Sequence, residues 1–212
     1  MYKVLSGIIL SGGKSKRMGI NKSLLKINGK TFIERLASLM SGIFERVILI
    51  SNEPELYRFL GLEIFDDIYP DKGPLGGIHS GLINCQTDRA FLISCDMPFM
   101  TEEMINFIAD YQCNEKIVVP KANGFIQQLC GVYGKAHIED IEEILKSDKD
   151  QELRTDEQSK RKCKVLSLIE KTNARIIDIE NEFPGYKGNE FFNMNTIDDY
   201  NYVVSVYNKQ LA

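Results

Sequence analysis

No apolar run in the sequence approaches the length of a membrane span, so a transmembrane helix is excluded and no membrane partner is expected. The opening residues lack the cationic segment, apolar core and cleavage site of a secretory leader, and a cytoplasmic location is the expectation. Positive charge is not in excess. The formal net charge is -4, which is no bulk footprint for nucleic acid, although a local basic patch is compatible with it. The cysteines, Cys85, Cys95, Cys113, Cys130 and Cys163, are odd in number and nowhere spaced as CxxC. Buried free thiols in a reducing cytosol explain them better than disulfides or structural zinc. Histidine is scarce. His79 and His137 have no Cys or His partner at metal spacing, and no Ser-His-Asp arrangement is legible, so neither is assigned a catalytic role.

What remains is a chain of 212 residues, 43% hydrophobic and 26% charged, which fits one soluble globular domain over residues 1–212. Short branched-aliphatic runs predict buried strands at 4–10, 46–51, 62–65, 89–95 and 116–120, with another in "QQLCGVY" and a late one in "ARIIDI". Between them lie helical patterns. Thr31 and Glu34 have capping-box spacing, and Ile33, Leu36, Ala37 and Met40 supply the apolar stripe of a helix that Gly42 is expected to end. "GPLGGIHSGLINC" reads as a glycine-rich approach to a helix. Thr101 caps "EEMINFIADYQ", and "FFNMNTIDDYNYVVSVY" reads as a turn and a closing helix. Residues 146–164 are dense in mixed charge and read as a solvated helix end and a mobile loop. Strand–helix alternation of this kind predicts an α/β fold: a Rossmann-like three-layer sandwich, its mostly parallel sheet covered on both faces.

In such a sheet, ligands bind beyond the carboxyl ends of the strands. The first strand ends in "SGGKSKRMGINK". Gly12 and Gly13 lack a Cβ, so backbone amides are free to approach a ligand closely, and Lys14, Lys16, Arg17 and Lys22 bring positive charge to the same place. Two or three phosphates would balance them; a solvated basic turn is the plainer alternative. The loop is no P-loop, since its Lys falls one position late after Gly7, Gly12 and Gly13, and GxGxxG is absent. Asp96 follows a buried strand, and Pro98 stiffens the chain after it, which suits either a Mg²⁺ ligand or a turn cap. Asn193 and Asn195 lie two apart and face one side of an extended segment, or else form a polar turn in which Asn195 or Thr196 caps the last helix. Gly73, Gly76 and Gly77 open a helix that either receives an anion or packs closely on the sheet.

"LSGGKSKRMGINKSLLKINGKTFIE", together with "ISN", "DDIYPDKGPLGGIHSGL", "ISCDMPFM" and "FFNMNTIDDY", resembles the nucleotidyltransferase superfamily, and within it the molybdenum cofactor guanylyltransferase family, over essentially the whole chain. The resemblance implies transfer of GMP from GTP to the terminal phosphate of molybdopterin, with pyrophosphate released and Mg²⁺ as cofactor. It implies that Leu10, Ser11, Gly12, Gly13, Lys22, Asn52, Asp67 and Asp96 hold the nucleotide, with Asp96 and Asn195 at the metal. It places Asn193, Gly76 and Gly77 on the substrate side, and Asp67 toward the guanine nucleotide or the pterin, though Asp66 is its neighbour. Lys22, Arg17 and Asp96 are the catalytic candidates. Lys22 is placed to reach the α-phosphate. Arg17 either grips the outer phosphates or pairs with a surface carboxylate.

The expected partners are GTP and molybdopterin, with transient contact to molybdenum cofactor biosynthesis proteins or recipient molybdoenzymes. The sequence departs from the family pattern at Ser11, where Ala is common and a small side chain should be tolerated, and at Gln128, where Pro is frequent. Three other readings stay open: a molybdopterin cytidylyltransferase, another small-phosphate nucleotidyltransferase, and a non-catalytic nucleotide-binding regulator or cofactor carrier.

Overall fold

Strand β1 (Leu5–Leu10) sets the layering. It is buried along its whole length, and its alternate residues enter opposite cores. Leu5 and Ile9 join one cluster, with Ile33, Leu36 and Met40 of helix α1 (Phe32–Ile43) and Met104, Ile105 and Ile108 of α3 (Glu102–Ala109). Ile8 and Leu10 join the other, with Leu75, Ile78 and Leu82 of α2 (Pro74–Asn84). Two further helices, α4 (Ile138–Gln151) and α5 (Lys164–Lys171), complete that second layer through Ile141, Leu145, Val165 and Leu168. Each core side chain buried in this way is worth roughly 1.5–3 kcal/mol of transfer free energy. These features come from a computed structural model that describes residues 1–12, 21–151 and 164–209.

The described residues form an eight-stranded sheet. Beside β1 stand β4 (Val47–Ile50) and then β5 (Glu63–Phe65) on one side, and β6 (Arg89–Ser94) on the other; all four are parallel. Beyond β6 the direction reverses. Strand β9 (Cys130–Gly134) is antiparallel both to β6 and to β7 (Val118–Ala122), and β8 (Phe125–Ile126) folds back on β7. Strand β10 (Arg175–Asp178) pairs parallel to β7 at the edge and runs into a short helix, α6 (Ile179–Glu182). The sheet is mixed on this flank and parallel where β1, β4, β5 and β6 end together, so residues that follow these four strands share one edge.

Local chemistry explains the elements. The predicted capping box is present: Thr31 Oγ1 accepts from Glu34 N–H at 3.2 Å, and a Glu34 carboxylate oxygen accepts from Thr31 N–H at 2.6 Å. Gly42 does not end that helix, which continues to Ile43 because Ile43 is buried against the core; Phe44 is the C-cap. The expected strand at 116–120 starts and ends two residues later and runs through Pro120, which pairs with Ile177 of the edge strand β10.

A small hairpin, β2 (Lys26–Ile27) and β3 (Lys30–Thr31), turns at Asn28 and Gly29, both with positive φ. This is the conformation that Asn-Gly favours. The helical end expected near residue 146 extends to Gln151; residues 152–163, including Cys163, lie outside the described residues.

A third, smaller core holds the chain's late segment in place. Met194 and Val203 of the closing helix region pack on Ile27 and Phe32, with Phe99 and Tyr207 at the margin. Helix α7 (Ile197–Lys209) is tied at both ends of this contact: Tyr200 donates to the Lys26 carbonyl at 2.9 Å, and Tyr207 donates to the Pro98 carbonyl at 2.7 Å. The helix is thereby fixed both to the hairpin that follows Lys22 and to the turn that follows Asp96.

Candidate active site

The carboxyl ends of β1, β4, β5 and β6 deliver Ser11 and Gly12, Asn52, Asp67, and Cys95 and Asp96 to the same edge. The late "NMN" segment is drawn to it as well, because Met194 N–H donates to the Asp96 carbonyl at 2.9 Å. Burial of Met194, at 1% exposure, leaves Asn193 and Asn195 on the other side, as their spacing predicts. Asn193 donates to the Phe191 carbonyl at 3.1 Å. Lys22 Nζ lies 3.4 Å from Asn195 Oδ1. Lysine, asparagine and aspartate, far apart in sequence, are therefore one cluster. The Lys22 charge is also close enough to weigh against the rise in the Cys95 thiol and to help hold Asp199 low.

Asp96 has one carboxylate oxygen, Oδ1, buried without a hydrogen-bond partner among the described residues. A buried anionic oxygen left in that state is costly unless a cation or a donor meets it. This suits a hard divalent cation such as Mg²⁺, which takes one or two protein carboxylates and fills the rest of its shell with water and phosphate oxygens. The neighbouring Cys95 thiol is pushed up to about 12 by burial and then by the Asp96 charge, which keeps it a neutral thiol at pH 7.

Thr196 caps α7, as one of the two sequence readings has it. Its Oγ1 accepts from Asp199 N–H at 3.1 Å, and Asp199 Oδ2 accepts from the N–H groups of Asn195 and Thr196 at 2.6 and 2.7 Å. Burial pulls the Asp199 carboxyl up, but these backbone donors outweigh it and leave it below its ordinary value. The cap fixes the backbone from which Asn195 reaches Lys22, so the structural role and the site role coexist.

Of the two adjacent aspartates, Asp66 is exposed and Asp67 turns inward. Asn52 Nδ2 donates to Asp67 Oδ2 at 3.0 Å, and Asp67 N–H donates back to Asn52 Oδ1 at 2.9 Å. Burial raises the Asp67 carboxyl, the Asn52 bond opposes the rise, and Asp66 adds to it. Asp67 Oδ1 is buried and unpartnered among the described residues.

Gly77 stands beside it. A Cβ there would lie 3.3 Å from the Leu10 side chain and 3.6 Å from Asp67 Oδ1. At Gly76 a Cβ would fall 2.8 Å from the Tyr69 carbonyl. The N–H groups of both glycines bond to the Gly73 carbonyl, at 3.0 Å from Gly76 and 3.4 Å from Gly77. Close helix packing is thus visible in both.

Leu10 is a core side chain whose carbonyl accepts from Cys95 N–H at 3.0 Å, and Ser11 is buried and hydrogen-bonded. Gly12 is exposed. Gly13, Lys14, Lys16 and Arg17 lie outside the described residues. The sequence reading missed Tyr57, a fully buried phenol whose hydroxyl meets Ser11, Asn21 and Ser23. Its local sequence, "PELYRFL", is a short turn of mixed charge with no signal that would single it out.

A mostly parallel sheet between two helical layers, with a strand-end site of this composition, is a nucleotidyltransferase-type fold. The chain belongs to the family described as the MobA-like NTP transferase domain, whose profile matches residues 7–161. It is 36% identical over 197 residues to a probable molybdenum cofactor guanylyltransferase of Clostridium perfringens, covering 92% of this chain and 93% of that one.

Among solved structures, a putative protein of Aquifex aeolicus VF5 superposes with a TM-score of 0.71 at 27% identity, covering 92% of this chain and 95% of that one. Molybdopterin-guanine dinucleotide biosynthesis protein A of Archaeoglobus fulgidus superposes with a TM-score of 0.76 at 20% identity, covering 97% of this chain and all of the other, and speaks to the fold alone.

Proposed function

We propose that the protein transfers GMP from GTP to the terminal phosphate of molybdopterin, forming the guanine dinucleotide form of the cofactor and pyrophosphate. The observation that carries this reading is the convergence at one sheet edge of Lys22, Asn195 and Asp96, whose Oδ1 has no hydrogen-bond partner among the described residues. The curated relative named above supports the choice of guanine and of molybdopterin.

Nucleotidyl transfer needs little covalent help from a protein. It needs the attacking oxygen held in line and the charge on phosphorus offset. Lys22 supplies a fixed positive charge for the α-phosphate, and Asn195, capped in place by Asp199, orients that ammonium by accepting from it. Asp67 and Asn52, locked together, present one buried acceptor to the donor groups of a nucleotide or pterin ring. Asp96 and Asn195 would hold Mg²⁺, which would supply positive charge to offset the charge developing at the attacked phosphate. Gly12, Gly13 and Arg17 are assigned to the β- and γ-phosphates. Asn193, Gly76 and Gly77 are assigned to the acceptor side.

The test is an assay of the purified protein with molybdopterin, Mg²⁺ and each of the four nucleoside triphosphates in turn, following pyrophosphate and the dinucleotide product. GTP is expected to be the preferred donor. Preference for CTP would make the protein a cytidylyltransferase, and tight nucleotide binding without pyrophosphate release would make it a binding module.

A further inference from the structure

We infer that Tyr57 is a positioning residue for Lys22, acting through a buried chain of hydroxyl groups; the inference rests on the active-site reading of Lys22 given above. Tyr57 sits in a 3₁₀ turn (Pro54–Leu60) between β4 and β5, with its ring in the core at 2% exposure. Among the described residues its hydroxyl has three hydrogen-bond neighbours: Ser11 Oγ donates to it at 2.8 Å, Asn21 Nδ2 donates to it at 2.8 Å, and Ser23 Oγ lies 2.9 Å away.

Proton accounting fixes the remaining direction. Ser23 Oγ gives its single hydrogen to Asn21 Oδ1 at 2.7 Å, so in the contact between the two hydroxyls the phenol is the donor. Both lone pairs and the proton of the phenol are then used.

Lys22 lies between two members of this network. Asn21 Oδ1 also accepts from Ser23 N–H at 3.2 Å and caps the short turn Lys22–Leu24. The same phenol, through Ser11, is fixed to the end of β1, whose Ser11 N–H donates to the Ile50 carbonyl at 3.0 Å. On the far side the Cys95 thiol faces Ser11 Oγ at 3.7 Å, next to Asp96. One hydroxyl therefore ties the end of β1 to the point where the chain returns at Asn21, and sets the backbone from which Lys22 reaches Asn195. Of the groups assigned to substrate, Tyr57 touches Ser11, whose hydroxyl it holds in the buried network, and it acts on Lys22 through Asn21 and Ser23. A lysine has four flexible bonds, so its reach is set by the anchoring of its backbone, and an error of about 1 Å at such a group is enough to cost on the order of 10²-fold in rate.

The test is a double-mutant cycle on turnover of Mg-GTP with molybdopterin. Tyr57→Phe keeps the ring and removes the hydroxyl; it is expected to lower kcat by about tenfold or more. In a Lys22→Ala background the same change is expected to have almost no further effect, because its route is already gone. Ser23→Ala, a smaller lesion at another buried member of the same network, is expected to act in the same direction and with the same dependence on Lys22. Wild-type kcat in both variants, or equal losses with and without Lys22, would overturn the inference. An unchanged kcat in Lys22→Ala alone would instead remove the active-site reading.

A readout independent of the reaction is the NMR signal of the isotope-labelled Lys22 side chain in the free protein. It is expected to move in Tyr57→Phe and Ser23→Ala, and an unmoved signal in both would count against the inference whatever the substrate proves to be.

Discussion

Asn52 and Asp67 hold each other by two reciprocal hydrogen bonds, side chain to side chain at 3.0 Å and backbone to side chain at 2.9 Å. The pair joins the ends of β4 and β5 and leaves Asp67 Oδ1 buried with nothing to accept from among the described residues. Its carboxyl is raised by burial. A raised carboxylate binds protons more tightly in the folded than in the unfolded chain, so stability falls as the pH climbs above 3.8, the ordinary value, and through the folded one. Asp67→Asn is therefore expected to raise the melting temperature at pH 7 relative to wild type, with the gain shrinking toward pH 4, while nucleotide affinity falls. Melting curves at the two pH values and a GTP titration check it.

Asp96→Asn should lower turnover by about 10²-fold or more without loss of the fold, since the amide keeps the shape and removes the charge offered to the cation. Unchanged turnover at limiting Mg²⁺ would refute the metal role.

Lys22→Ala should cost on the order of 10²-fold in kcat, as removal of a group that stabilises charge at the reacting centre does. Its ammonium lies 3.4 Å from Asn195 Oδ1, and under the proposed role it acts on the α-phosphate and not on the base, so the ratio of GTP to CTP use should stay as in wild type. A change confined to that ratio would move Lys22 to the base.

Asp199→Ala removes the acceptor for two backbone N–H groups at the start of α7. Loss of such a cap costs about 1 kcal/mol, or about 2–4 °C in melting temperature for a chain of this size. Its carboxyl is held low, so the stabilisation is present at neutral pH and is lost as the pH falls below 3.8 and through the folded value. The melting difference from wild type should shrink over that interval. Because the cap also sets Asn195, activity should fall by more than the stability loss accounts for.

Much of this fold is legible in the sequence. Branched-aliphatic runs ending at Gly, Asn or Asp located β1, β4 and β6, and the strand-end rule then pointed to Gly12, Asn52 and Asp96. Thr31, Glu34 and Thr101 announced their helices through side chains that bond locally, which is chemistry a short window contains. Direction is another matter. "QQLCGVY" is as apolar as a parallel strand, and only pairing with β6 and β7 makes β9 antiparallel.

The two Asn-Gly turns, at Asn28–Gly29 and Asn123–Gly124, carried a readable hairpin signal that the strand–helix pattern obscured. The choice between Asp66 and Asp67 depends on a partner 15 residues away, and Tyr57 acts on residues 34 to 46 positions distant; no local pattern encodes either.

Lys22 and its amide partner Asn195 are 173 residues apart. A fragment confined to residues 7–161 would carry Lys22, Asp67 and Asp96, yet would lack both late asparagines and the helix bolted to Lys26 and Pro98. During synthesis the two halves of the ammonium–amide contact leave the ribosome at widely separated times, so a nascent chain cannot complete the site until residue 195 has emerged and docked.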